Sequence, residues 1–264
     1  MTKNSETTFR SEGQALLPGH ASPVRLNKFL SEMGICSRRE ADRLTAEGKI
    51  TVDGRPAVMG ERVFPYQEIV CNGRRVKGEA GRPGVVWLVV NKPRGIVCTT
   101  SDKDRAENII DFISWPQRVF PVGRLDKDSE GLLLLTNEGG LADLLLRGRN
   151  AHEKEYLVTV DRPVTQEFLD AMGRGVELPE LNTRTRPCRV WAEGRNSFRI
   201  ILTQGLNRQI RRMCEALGVR VLELKRLRIM NIYLGSLEPG GVREMTDEEY
   251  REMCAALEQK GRRE

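Results

Sequence analysis

Three carboxylates, Asp126, Asp128 and Glu130, crowd into one polar turn that Gly123 opens and Gly131 closes. The turn feeds the apolar run 131–135. A carboxylate placed this way can serve as a nucleophile or as a stabiliser of developing positive charge. On composition alone the plainer account is a surface loop whose acids and bases pair locally. The rest of the chain narrows the choice. Only His20 and His152 are present, which leaves little room for chemistry built on histidine. The six cysteines (36, 71, 98, 188, 214 and 254) form no CxxC and no close pair. They read as reduced, mostly buried small hydrophobes rather than a zinc or disulfide framework. Neither a GxxxxGK[ST] loop nor a GxGxxG turn occurs, so nucleotide-triphosphate and dinucleotide chemistry are not expected.

Composition and length bound the class. The chain has 264 residues, 30% charged and 39% hydrophobic, with a net charge of +6. These are values of an ordinary globular protein with chain enough for one large domain or two smaller ones. The longest apolar stretch, 85–90, is far below the roughly 20 residues that a membrane helix needs. The start, MTKNSETTFRSEGQ, has no apolar core and is not a secretory signal. A cytoplasmic, non-membrane protein is expected.

The elements that must position the turn fall into two groups. Residues 1–23 lack periodicity and are expected to be a disordered tail. Leu26, Phe29, Leu30 and Met33 then recur at helical spacing, with Gly34 as a stop. Ser37-Arg38-Arg39-Glu40 reads as a capping box that starts a second helix, running to about Glu47 before Gly48. Ile50 and Val52 alternate like a strand, and Asp53-Gly54 is a strong hairpin signal. The unit closes near Lys77, and the Gly-rich stretch 78–84 reads as a linker. A second domain over 85–257 follows, with strand-like runs at 85–90, 96–99, 131–135, 156–160, 198–202 and 219–224 among shorter helical patterns. The expected class is α+β, with a mixed, mainly antiparallel sheet and flanking helices in this larger domain.

Charge is concentrated in the first unit. Between residues 24 and 77 there are 11 basic and seven acidic side chains. Arg25, Lys28, Arg38, Arg39, Arg43 and Lys49 sit off the apolar stripe of the two helices. A solvated helix face is one account of them, and a surface that tracks phosphates is the other. The run RLNKFLSEMGICSRREADRLTAEGKITVDG resembles the S4 RNA-binding module over the whole unit. That resemblance implies that these basic side chains face folded RNA.

The carboxylate turn carries a second resemblance. GRLDKDSEGLLLLTNEG is similar to the signature of the RsuA-type ribosomal RNA pseudouridine synthases, in which the Asp of GRLD is catalytic. This implies Asp126 as the catalytic carboxylate, with Asp128 and Glu130 as loop residues outside the matched position. The implied reaction detaches uracil from its sugar at N1, turns it, and rejoins it through C5. No group is transferred and no electrons are exchanged, so no cofactor is expected.

Two further segments belong to the same resemblance. In HEKEYLVTV it implies Tyr156 as the active-site tyrosine, able to stack on a displaced uracil; a tyrosine packed in a core strand is the alternative. In QGLNRQIRRMC, Ile210, Met213, Cys214 and Leu217 give a helix an apolar face, leaving Arg208, Arg211 and Arg212 off it. The resemblance implies that Arg211 pairs with the catalytic carboxylate, orienting it and holding its charge. Leu224 would floor the uracil pocket, although core packing explains a strand leucine equally well. Arg124 and Arg208 join the residues expected to face RNA.

The wording GLNRQIRRMCEALG, HEKEYLVTV and RIMNI resembles the large-subunit branch F of the family, which acts on 23S ribosomal RNA. Many relatives read EGRN where this chain has QGLN, so Leu206 replaces a basic residue. The expected target is a uridine in a folded stem-loop of 23S rRNA, handled by a monomer. Open alternatives are a non-catalytic RNA-binding or ribosome-assembly protein, a base-releasing glycosylase, and the same isomerase acting on tRNA.

Overall fold

The computed structural model describes residues 22–76, 83–98, 107–147 and 151–261. The expected tail lies outside these residues except for its last two, and so does most of the expected linker. Contacts divide the chain into two compact units, with the boundary after Pro83.

The smaller unit is built as its periodicity implies. Leu26–Glu32 and Arg38–Ala46 are helices, and their apolar stripes (Leu26, Phe29, Leu30, Ala41, Leu44) are buried against Ile50, Val52, Val63 and Ile69. Gly34 takes the left-handed conformation (φ +72°) that ends the first helix. Half of the expected capping box forms: the Ser37 hydroxyl accepts the Glu40 N–H at 3.1 Å. The Glu40 carboxylate pairs with Arg43. The strands Arg55–Pro56, Ile50–Val52, Ile69–Cys71 and Arg74–Arg75 lie side by side in that order. Asp53 and Gly54 both have positive φ, the requirement of the tight hairpin between the first two.

The larger unit is organised by a nine-stranded mixed sheet among the described residues. Its main path runs Arg189–Gly194, Ser197–Leu202, Lys154–Val160, Val221–Ile229, Glu130–Thr136, Trp87–Lys92, Val242–Glu244. Every neighbouring pair is antiparallel except Val221–Ile229 beside Glu130–Thr136. The two central strands Trp87–Lys92 and Glu130–Thr136 are buried almost throughout, which explains their unbroken apolar runs. The expected strand over 96–99 is reduced to one bridge at Val97, opposite Asn108; Thr99 lies outside the described residues. The last helix, Asp247–Gly261, continues past the expected boundary at 257 and buries Met253 and Leu257. Gly84, expected at the end of the linker, is tied to this unit: its carbonyl accepts from Asn137 Nδ2 at 2.8 Å.

One face of the sheet carries a lattice of ion pairs. Glu155 accepts from Arg228 Nε at 3.0 Å and from Arg199 Nη1 at 3.1 Å. Glu153 accepts from Arg228 Nη2 at 3.0 Å and Arg189 Nη2 at 2.7 Å. Burial alone would raise the Glu155 pKa, but the two guanidiniums outweigh it and lower the pKa. A carboxylate depressed in the folded state stabilises the fold above its unfolded pKa and loses that contribution as pH falls through its folded pKa. Glu155→Gln is therefore expected to lose about 2–4 kcal/mol at neutral pH. Urea unfolding should show the gap to the parent closing at strongly acidic pH; a gap independent of pH would contradict the assignment.

Candidate active site

Asp126 stands on the turn between Phe120–Val122 and Glu130–Thr136, and tertiary bonds hold that turn from three sides. Within it, the Ser129 N–H donates to the Asp126 carbonyl at 3.0 Å. From the loop after Trp87–Lys92, the Gly95 N–H donates to the Lys127 carbonyl at 2.9 Å. The Leu125 N–H donates to Cys98 Sγ at 3.5 Å. That supporting loop is itself pinned by Lys92. Its fully buried ammonium donates to the Pro93 and Ile96 carbonyls, each at 2.8 Å. Burial pushes Lys92 below the usual lysine range.

The third hold comes from the helix Gln209–Ala216. Arg211 Nη2 donates to the Asp128 carbonyl at 3.1 Å and reaches Ser129 Oγ at 3.5 Å. Its Nη1 donates to the Val221 carbonyl at 3.3 Å. The guanidinium paired with Asp126 is that of Arg208, with Nη1 to Oδ2 at 3.7 Å. Arg208 sits just before the helix in the left-handed conformation (φ +51°). The pairing implied for Arg211 is thus made by Arg208 here, while Arg211 grips the backbone of the turn. The helix phase explains the exchange. Arg211 follows the buried Ile210 and is partly buried itself, whereas Arg208 precedes the helix and stays exposed.

Asp126 opens onto a cleft of about 620 Å³ that Arg124, Tyr156, Leu206, Arg208 and Leu224 also line. Tyr156 lies on Lys154–Val160, directly across from Arg226, and Val158 lies across from Leu224. Leu224 lines the cleft and also packs in the core around Val158 and Phe198. Leu206 gives the rim an apolar side chain beside Arg208.

Three further cleft residues were not expected at the site. Cys98 is buried and accepts from the turn; Lys154 and Arg226 line the cleft as cations on neighbouring strands. Lys154 stands in the HEKEYLVTV segment, and a lysine two residues before Tyr156 on a strand necessarily faces the same side. Arg226 was obscured by a β-bulge. Glu155 lies across from Arg228 but Tyr156 across from Arg226, so Leu227 is the extra residue.

In the smaller unit the basic residues divide by partner. Lys28 pairs with Glu32, Arg43 with Glu40 and Glu47, and Lys49 with Glu47. Arg25, Arg38 and Arg39 are exposed and make no ion pair with a described carboxylate.

Comparison with known proteins agrees with these features. An RNA pseudouridylate synthase family model matches residues 86–216, and an S4 domain model matches residues 24–58. The chain is 50% identical over 237 residues to the dual-specificity RNA pseudouridine synthase RluF of Escherichia coli O6:H1, covering 90% of this chain and 80% of that one. It is 34% identical to the ribosomal large subunit pseudouridine synthase B of Bacillus subtilis, covering 88% of this chain and 96% of that one. A crystal structure of a pseudouridylate synthase superposes with a TM-score of 0.65 at 27% identity, covering 87% and 99% of the two chains.

Proposed function

The chain belongs to the RNA pseudouridine synthase family, and from that premise we propose that it isomerises a uridine in a stem-loop of 23S ribosomal RNA, with Asp126 as the catalytic carboxylate. The observation that carries the residue assignment is the placement of Asp126: fixed through its backbone, paired with Arg208, and open to a cleft that Tyr156 shares. The cleft suits a single nucleotide extruded from its helix. Tyr156 offers a ring face to the displaced base, recovering part of the stacking that extrusion costs. Exposed Arg124 and Arg208 at the cleft meet the flanking phosphates.

The chemistry follows from the carboxylate. The bond between C1′ and N1 breaks with its electron pair going to the base, and Asp126 offsets the loss at the sugar, by attack at C1′ or by assisting elimination. The base turns, C5 bonds to C1′, the C5 proton leaves and N1 gains one. Atoms and electrons balance without a further reactant. A monomer acting in the cytoplasm, where ribosomal RNA is found, belongs to the same reading.

The target is tested by incubating the purified protein with unmodified 23S rRNA and, separately, with tRNA, and mapping pseudouridine. A single new pseudouridine in 23S rRNA is expected. The name of the Escherichia coli relative, "dual-specificity", is the reason for the tRNA arm. Modification of tRNA alone would overturn the rRNA assignment, and free uracil would turn the reading to a glycosylase.

The exposed arginines of the smaller unit supply the sequence-independent part of binding. Arg38→Ala with Arg39→Ala is expected to reduce the salt dependence of RNA affinity by about 1.5–2 in slope, whereas Arg43→Ala, whose charge two glutamates already compensate, should change it less. Equal effects from Arg43 and from the pair would contradict this division.

A further inference from the structure

Two cations, the buried Arg226 and the partly buried Lys154, line the same cleft as Asp126 and have no part in the scheme above. Arg226 is 3% exposed. Its Nε donates to the Leu132 carbonyl at 2.7 Å, while its buried Nη2 meets no acceptor among the described residues. An unpaired buried guanidinium donor is costly, and such a group persists where an acceptor arrives with the substrate. Lys154 lies on the neighbouring strand, on the side of Tyr156, and among the described residues its Nζ donates to one carbonyl, that of His152 at 3.3 Å. Ammonium groups carry three donors, so two remain for a ligand. Burial and the charge of Arg226 push the Lys154 pKa down to about 8. Two cations that line one cleft and repel each other call for an anionic or strongly polarised group between them.

The reaction supplies one. When the bond between C1′ and N1 breaks, the departing uracil takes the electron pair, and the negative charge spreads to its O2 and O4 oxygens. This holds whether Asp126 attacks the sugar or assists elimination. We propose that Lys154 Nζ and Arg226 Nη2 donate to the carbonyl oxygens of the uracil, O2 and O4, and stabilise the negative charge that it carries while detached. The inference rests on the assignment of Asp126 as the catalytic carboxylate. Tyr156 holds the face of the ring and the two cations hold its edge, so the base can turn without leaving. Fixed donors in a site shielded from water stabilise developing charge far better than the same donors in solvent.

A leaving-group test separates this role from a structural one. The RNA that supports turnover is transcribed with either uridine or 5-fluorouridine, and loss of the target nucleoside is followed in single turnovers. Fluorine withdraws electrons from the ring, so the fluorinated base departs with less help. Lys154→Met is expected to slow the uridine substrate by about 100-fold. On the fluorinated substrate the deficit should shrink by about tenfold, and Lys154→Arg should restore most of the rate. Arg226→Gln should behave as Lys154→Met does wherever its melting curve matches the parent's. Equal deficits on both substrates, with Asp126→Asn inactive, would overturn the charge-stabilising role alone. Turnover by Asp126→Asn would remove the assignment on which the inference stands.

Discussion

Asp126→Asn is expected to bind RNA within a few-fold of the parent and to form no pseudouridine. Asparagine keeps the size of the side chain, and the bonds that hold the turn do not involve the carboxylate. They run through the Lys127 carbonyl, the Leu125 N–H, the Asp128 carbonyl and Ser129 Oγ. The substitution therefore removes a charge and a nucleophile without loosening the backbone that presents them. Its side-chain partner among the described residues, Arg208, forms an exposed ion pair at 3.7 Å, a contact that contributes little to stability. The rate should fall by at least about a thousandfold, the scale reached when an essential nucleophile or charge-stabilising group is removed. Single-turnover mapping alongside an affinity titration checks both halves. Full activity would move the assignment to Asp128, on the same turn, or to Glu130, which opens the strand after it rather than lying in the loop as expected.

Gly131→Ala should unfold the larger unit well below the parent's melting temperature. Gly131 lies between two strands, across from Lys92 on one side and Arg226 on the other. A Cβ built there would stand 2.3 Å from the Arg226 carbonyl oxygen and 2.6 Å from its backbone nitrogen. Neither is a flexible tip that can swing aside. The residue also has φ +104°, which a side chain disfavours. Overpacking and backbone strain together should cost about 3 kcal/mol or more, or roughly 6–12 °C in Tm for a unit of this size. Any folded fraction should also be catalytically impaired, because the strand that would have to move carries Arg226. By contrast, Gly205→Ala, where a Cβ meets nothing within 4 Å, should melt with the parent. A Gly131→Ala protein that melts normally would mean that the two strands part more easily than their spacing suggests.

What the sequence disclosed follows from how local each signal is. The two helices of the smaller unit were legible because their apolar spacing, Gly34 and Ser37 act within a turn or two of chain. Its hairpin was legible because Asp53 and Gly54 alone satisfy the positive φ that it needs. The central strands were legible as apolar runs, but their ends were not. Lys92 extends a buried strand that by residue type should have stopped at Val90, and its ammonium is accommodated only because the chain folds back to offer two carbonyls. The candidate site was legible where it coincided with the GRLDKDSEG, HEKEYLVTV and QGLNRQIRRMC segments. It was not legible where it depended on register: strict alternation along Val221–Ile229 would put Arg226 and Arg228 on one side, and only the irregularity at Leu227 separates them. The choice between Arg208 and Arg211 likewise turned on where the helix begins.

The irregularity at Leu227 also lets one strand answer to two demands that would otherwise compete. Arg228 is committed to the carboxylates of Glu153 and Glu155 and to the Met230 carbonyl. Arg226 keeps a donor in reserve. Substitutions on the ion-paired side should therefore move melting temperature and leave rate on the folded protein nearly untouched, while those on the cleft side should do the reverse. Robustness and reactivity can thus be adjusted independently within three consecutive residues.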